Sequence, residues 1–335
     1  MKTADILDQN TSKRKSSKAF TMLELVFVIV IMGILAKFGA ELFRNVYETY
    51  ISSSIQNRMQ ADTELALQQI ANRLQYRIKD SVIARTDAAN FQGLPSAAGN
   101  EVILEWIGYD IDGWLGTDRG GTETYNKPTW TGFIDVDAID TANADNDTLY
   151  SPETDTAEAD TIIQALRATG SNTAINNTAI VFTGANSNIQ DGYGWNGIVQ
   201  DQNNSTIHPI QQVGNIGVAA EQLRAPGADT FDDVDVYEQY KLSWTAYALS
   251  LEDINATTNV GDLYLYYDYQ PWEGERYDGN VNGVALNDRR RLLITDVHTF
   301  KFQAIGDMIK IQICINDGNI LGDGGYSLCK EKAIF

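Results

Sequence analysis

The sequence predicts an α+β fold in which one long N-terminal helix, apolar in its first half, leads into an acidic head of antiparallel strands. Three observations predict it. The run from Phe20 to Phe43, FTMLELVFVIVIMGILAKFGAELF, is long enough to cross a bilayer core as a helix, which takes roughly 20 residues at about 1.5 Å each. Apolar residues then recur at helical spacing, with Leu67, Ile70, Leu74 and Ile78 at i, i+3, i+7 and i+11. Beyond residue 81 come short runs rich in β-branched and aromatic residues, punctuated by Gly, Asn and Asp.

With 335 residues, 43% hydrophobic and 21% charged, the chain has the composition of a globular protein able to bury a sizeable core. Its formal charge is -20, and the charge is unevenly placed. Residues 1–19 are basic, with Lys2, Lys13, Arg14, Lys15 and Lys18 against Asp5 and Asp8, while the remainder is strongly acidic. An acidic surface repels phosphate backbones, so direct nucleic-acid binding is not expected.

Taken in order, residues 1–19 read as a basic leader, 20–43 as the membrane half of the helix, 44–80 as its outer half, and 81–335 as the head. The basic residues before the span place the N-terminus in the cytoplasm and the head outside, by the positive-inside rule. No proline precedes Pro95 and no glycine lies between Gly39 and Gly93, so the helix is expected from about Thr21 to about Arg77, roughly 85 Å. Its outer stripe needs a cover, which an antiparallel sheet supplies. Strands are expected at Val102–Tyr109, Trp130–Val136, Ala179–Thr183, Gln239–Leu251, Leu263–Tyr269, Val297–Ala304 and Met308–Ile315, with a turn at Ile305-Gly306-Asp307 joining the last two. Thr161–Ala168 reads as a short helix and 184–230, rich in Asn, Gln, Gly and Asp, as loop. Cys314 and Cys329 flank a Gly/Asp-rich turn segment. In an exported head they are expected to form a disulfide, adding about 3 kcal/mol by closing a loop of about 15 residues; two unrelated buried thiols are the alternative.

Glu24 is out of place in the apolar run. A carboxylate costs up to about 3 kcal/mol at the bilayer centre on insertion scales, and no cation in the chain is well placed to offset it. An intramembrane charge is by default functional, its partner to be found.

The stretch Lys18-Ala19-Phe20-Thr21-Met22-Leu23-Glu24-Leu25, ahead of the apolar run, resembles the N-terminal signal of type IV prepilins and type II secretion pseudopilins. The resemblance covers about the first 60 residues. It implies a lollipop-shaped, type IV pilin-like fold and cleavage between Ala19 and Phe20 by a prepilin peptidase of the bacterial inner membrane, which then methylates the new N-terminus. Ala19 stands where most of the family has glycine. Glu24 takes the place of the family's fifth-position glutamate, used in assembly. The partners so implied are the peptidase, other pilin or pseudopilin subunits, an inner-membrane assembly platform and membrane lipid. The chain is much longer than major subunits, which favours a minor one, in the inner membrane or in a filament. One departure is Glu41, near where many major pilins carry a helix-kinking proline. The alternative reading is a membrane-anchored periplasmic binding or enzyme domain outside any filament.

No enzymatic constellation is found in the sequence: there are two histidines, His208 and His298, and no metal-ligand spacing, phosphate loop or nucleophile elbow. No cofactor is expected; the acidic clusters read as solvated loops, with calcium, which takes six to eight oxygens, as the alternative. Its candidate ligands are Asp317, Asn319 and Asp323 in the cysteine-bounded segment, an expectation the resemblance strengthens, and a second acidic set at Asp110, Asp112 and Asp118 with Asp135 and Asp137. The aromatics Tyr264, Tyr266, Tyr267, Tyr269, Trp272 and Tyr277 read as core with one wet face, an exposed docking patch being the alternative.

Overall fold

A computed structural model describes residues 20–87, 89–118, 126–138, 146–167, 174–203, 206–213, 220–232, 234–279, 286–316 and 326–335. The chain divides into two units, the first ending at Ile55 and the second running from Gln56 to Phe335. Helix α1 (Met22–Leu74) contributes to both. In the first unit every large apolar side chain from Phe20 to Tyr50 is exposed, and the helix is long and apolar enough to cross a membrane. A helix apolar all round with nothing packed on it is suited to lipid, where each backbone group is satisfied within the helix itself.

The second unit is α+β. In chain order its elements are β1 (Ile83–Arg85), β2 (Phe91–Gly93), β3 (Ile103–Gly108), α2 (Ile111–Leu115), β4 (Thr117–Asp118), β5 (Asn126–Lys127), β6 (Thr148–Tyr150), α3 (Thr156–Leu166), β7 (Thr178–Phe182), β8 (Ile207–Gln212), β9 (Gln222–Arg224), β10 (Tyr240–Ser243), β11 (Thr245–Glu252), β12 (Gly261–Tyr269), β13 (Arg290–Ile305), β14 (Met308–Asn316) and β15 (Ser327–Ile334). The main sheet has eight strands in the order β15-β14-β13-β12-β11-β3-β1-β2, and a second sheet has five in the order β10-β7-β8-β9-β6. All pairings are antiparallel. Because β3 pairs directly with β11, residues 109–244, which hold the whole second sheet, are an insertion between two neighbouring strands.

Register assigns the two faces of the main sheet. On one lie Leu104, Trp106, Tyr247, Leu249, Leu263, Leu265, Ile294 and Val297, continuing through Phe300, Phe302 and Ile309, Ile311, Ile313 and Ile315 to Lys330, Lys332 and Ile334. This face meets α1: the Lys330 ammonium donates to Glu64 Oε2 (2.9 Å) and Gln60 O (3.1 Å), and Lys332 to Gln68 Oε1 (2.6 Å). The buried stripe of α1, namely Met59, Thr63, Ala66, Leu67, Ile70, Ala71 and Leu74, is its cover. On the other face Ile103, Ile107, Ala246, Ala248, Tyr266 and Tyr269 form one core with Ala179, Val181, Ile207, Tyr193 and Trp195 of the insertion. Beyond β12 that second face turns polar, carrying Lys301, Gln303, Lys310, Gln312 and Glu331. The far side of the second sheet has a core of its own, in which Ile180, Phe182, Ile210, Leu223 and Leu242 meet Ala159 and Ile163 of α3.

Most expected strands are present, with instructive differences. Trp130–Val136 is not a strand. Gly132 turns to φ 68, where a Cβ would stand 3.1 Å from Tyr240 O, and only an isolated bridge joins Phe133 to Gln239. Gln239–Leu251 is two strands in different sheets, with Trp244 at the crossing. Val297–Ala304 lengthens to sixteen residues because β13 pairs with β12 up to Val297 and with β14 from there on. The 184–230 segment is not all loop: it holds β8, β9 and the buried Tyr193 and Trp195. Gly194, at φ 82, lets that segment approach so closely that a Cβ would sit 2.0 Å from Pro271 O. The short helix starts earlier than expected, at Thr156, because Asp155 caps it by accepting from Glu158 N at 3.1 Å. α1 ends at Leu74 rather than Arg77, its last turn loosening through Tyr76 N to Arg73 O and Arg77 N to Leu74 O, both 3.2 Å.

Ile70 is wholly buried between α1 and the sheet. Ile70→Ala is expected to cost about 2–5 kcal/mol through lost contact and a residual cavity, read as a lower urea midpoint for the detergent-solubilised full chain.

Candidate functional site

The helix start is built locally. Thr21 Oγ1 accepts from Glu24 N (3.3 Å) and Thr21 O from Leu25 N (3.2 Å), so Thr21 caps α1 in a T-x-x-E arrangement. The Thr-x-x-Glu spacing carries the signal for this cap, which the apolar run around it obscures. Glu24 lies in the first turn, where the helix dipole favours negative charge. Phe20 is 76% exposed, and no cation pairs with Glu24 among the described residues. Ala19 falls outside the described residues. What the site offers is a carboxylate one turn inside the apolar, exposed N-terminal stretch of α1.

Cys314 and Cys329 are bonded, facing each other in the β14–β15 register. They sit on the polar face of the sheet, opposite α1. Asp317, Asn319 and Asp323 lie outside the described residues. In the other acidic set, Asp110 is buried and committed: it caps α2 by accepting from Gly113 N (3.1 Å) and accepts from Trp130 Nε1 (3.1 Å). Burial pushes its carboxyl up to about 6. Asp135 accepts from Asp137 N (3.1 Å). Among the described residues no three His, Cys, Asp or Glu side chains are placed to hold a metal ion.

Of the clustered aromatics, Tyr266, Tyr269, Trp272 and Tyr277 are core, Tyr264 packs against it, and Tyr267 sits at the rim beneath the Arg291 guanidinium at 5.6 Å. Burial pushes the Tyr266 hydroxyl up to about 12. Between the sheets lies a buried ionic knot that leaves no mark in local sequence pattern. Arg85 pairs with Glu105 and donates to Trp195 O (2.8 Å), and Tyr269 donates to Glu105 Oε2 (2.9 Å). A second buried pair, Arg167 Nε to Asp268 Oδ1 (3.0 Å), ties the insertion to β12. Both are internal ties rather than groups facing a cavity. A cavity of about 520 Å³ lies between the 94–101 segment and the polar strand face, and contains the Lys310–Glu331 pair (2.6 Å).

Comparison of the chain with family models, with curated proteins and with solved structures finds no match.

His208, on β8, is buried against Phe182 with ring centroids 5.2 Å apart. Burial penalises the imidazolium and pulls its pKa down from 6.5 to about 4. The unfolded chain therefore binds the proton first as pH falls. The stability His208 contributes is whole above about pH 6.5 and is lost as pH falls through about 4. His208→Gln is expected to flatten that part of the pH-stability curve, measured as urea midpoints between pH 4 and 7.

Proposed function

We propose that the chain is a minor pilin- or pseudopilin-type subunit, with the pilin-like lollipop fold, processed between Ala19 and Phe20 and assembled into a filament through its N-terminal helix. The observation that carries this reading is Glu24, a carboxylate one turn inside the apolar N-terminal stretch of α1, whose large side chains are exposed among the described residues. Cleavage before Phe20 creates an α-amino group four residues away. When such helices bundle, Glu24 of one subunit meets the Phe20 amine of its neighbour. At an effective dielectric constant of about 20, unit charges about 4 Å apart attract by about 4 kcal/mol, and more in a drier bundle. An unpaired charge there is penalised, so the pair sets the axial register of packing. The basic leader stays in the cytoplasm and the acidic head stands outside the inner membrane, where its disulfide is stable. A prepilin peptidase, an assembly platform and related subunits are the partners this requires.

N-terminal sequencing of protein extracted from its native membrane is expected to start at methylated Phe20. A start at Met1 would favour an uncut anchor carrying a periplasmic domain. Glu24→Val is expected to leave cleavage near normal while reducing the filament-borne fraction at least tenfold in sheared-filament immunoblots; unchanged incorporation would refute the pairing.

A further inference from the structure

The head carries several Asn-x-Ser/Thr triplets, the acceptor pattern for N-linked sugars in exported chains. The fold separates them. At Asn146-Asp147-Thr148 the Asn146 amide nitrogen donates to Asp232 Oδ1 (2.7 Å) and Thr148 is buried. At Asn176-Asn177-Thr178 the Asn176 side chain accepts from Gln212 N (3.1 Å) and Thr178 is wholly buried. The triplets beginning at Asn203 and Asn204 fall partly outside the described residues. Asn255-Ala256-Thr257 differs from both buried triplets. It forms the turn between β11 and β12, where every residue from Asp253 to Asn259 is exposed.

The geometry at this turn suits an acceptor. Asn255 Oδ1 accepts from Thr257 N (2.8 Å) and Thr258 N (3.3 Å), while its Nδ2 donates to nothing among the described residues. Two donors on the amide oxygen draw electron density from nitrogen and make the Nδ2–H easier to remove. The Thr257 hydroxyl is exposed for a transferase to grip, and Asp253 places a carboxylate two residues ahead of the asparagine, a charge that a cationic acceptor groove can read.

We infer that Asn255 is a glycan attachment site, its donor an oligosaccharide carried on a lipid pyrophosphate outside the cytoplasmic membrane. In the transfer, Nδ2 bonds to the sugar's anomeric carbon and the bond from that carbon to the pyrophosphate oxygen breaks. The lipid pyrophosphate leaves with the electron pair, and one Nδ2 proton passes to a transferase base. No oxidant or reductant is needed. The inference rests on the head being exported, as the proposed function requires.

The experiment is peptide mass spectrometry of full-length protein from its native membrane, with protease accessibility of the head in spheroplasts measured alongside. The peptide bearing Asn255 is expected to be heavier by whole sugar residues. Asn255→Gln and Thr257→Ala should each abolish the addition, and Thr257→Ser should retain it. An exported head with unmodified Asn255 overturns this inference and leaves the filament reading intact. A head shielded inside the cytoplasm overturns both. A sugar that persists in Asn255→Gln places the modification elsewhere and also overturns it.

Discussion

Both faces of the main sheet are buried across β1, β3 and much of β11 and β12, and that one constraint organises the head. A sheet buried on two sides needs two covers. The stripe of α1 from Met59 to Leu74 supplies one and the inserted five-stranded sheet the other. Where the insertion stops, the second face turns to Lys, Gln and Glu, and β13, β14 and β15 revert to one dry side and one wet side. The change is visible strand by strand: β3 is buried at all six positions, whereas β15 alternates without a break. The insertion is therefore part of the fold's core, and its removal would lay bare Ile103, Ile107, Tyr266 and Tyr269 together.

The charges placed inside this frame are positional devices. Arg85, Glu105, Tyr269 and the Trp195 carbonyl close a buried network between sheet and insertion, and Arg167 with Asp268 closes another. Buried ion pairs add little net stability, but a shifted packing would strand one partner without the other, at about 3–5 kcal/mol. The logic proposed for Glu24 is the same, moved from a protein interior to a membrane: a charge that is costly alone is offset only in one arrangement. Within the head that arrangement is supplied by the chain itself, and in the filament reading it is supplied by a neighbour.

Much of the architecture was legible from residues. The long helix announced itself by an apolar run followed by a 3.6-residue stripe with no Pro or Gly to break it. β14, with Ile309, Ile311, Ile313 and Ile315 alternating with Lys310, Gln312 and Cys314, is a half-buried strand on sight. β15 was not legible, because two of its inward positions are Lys330 and Lys332, whose stems cover the helix while their ammonium groups reach Glu64 and Gln68. β8 and β9 were hidden in a stretch with few apolar residues, although Ile207, Ile210 and Leu223 each point into a core. The cap by Thr21 was written in the Thr-x-x-Glu spacing but overshadowed by the hydrophobic signal around it.

From amino-acid order alone follow the membrane-length helix, the anomalous Glu24, the acidic head, the cysteine pair and the α+β class, because each rests on local periodicity, local charge or simple spacing. Tertiary structure decided that the described strands of the head fall into separate eight-, five- and two-stranded sheets, that 109–244 is an insertion, that most of the tyrosine-rich run is core, and which Asn-x-Thr turn stands open to solvent. Those outcomes depend on pairings between segments remote in sequence, that of Ile103–Gly108 with Thr245–Glu252 above all, and long-range pairing leaves no trace in the period of either segment.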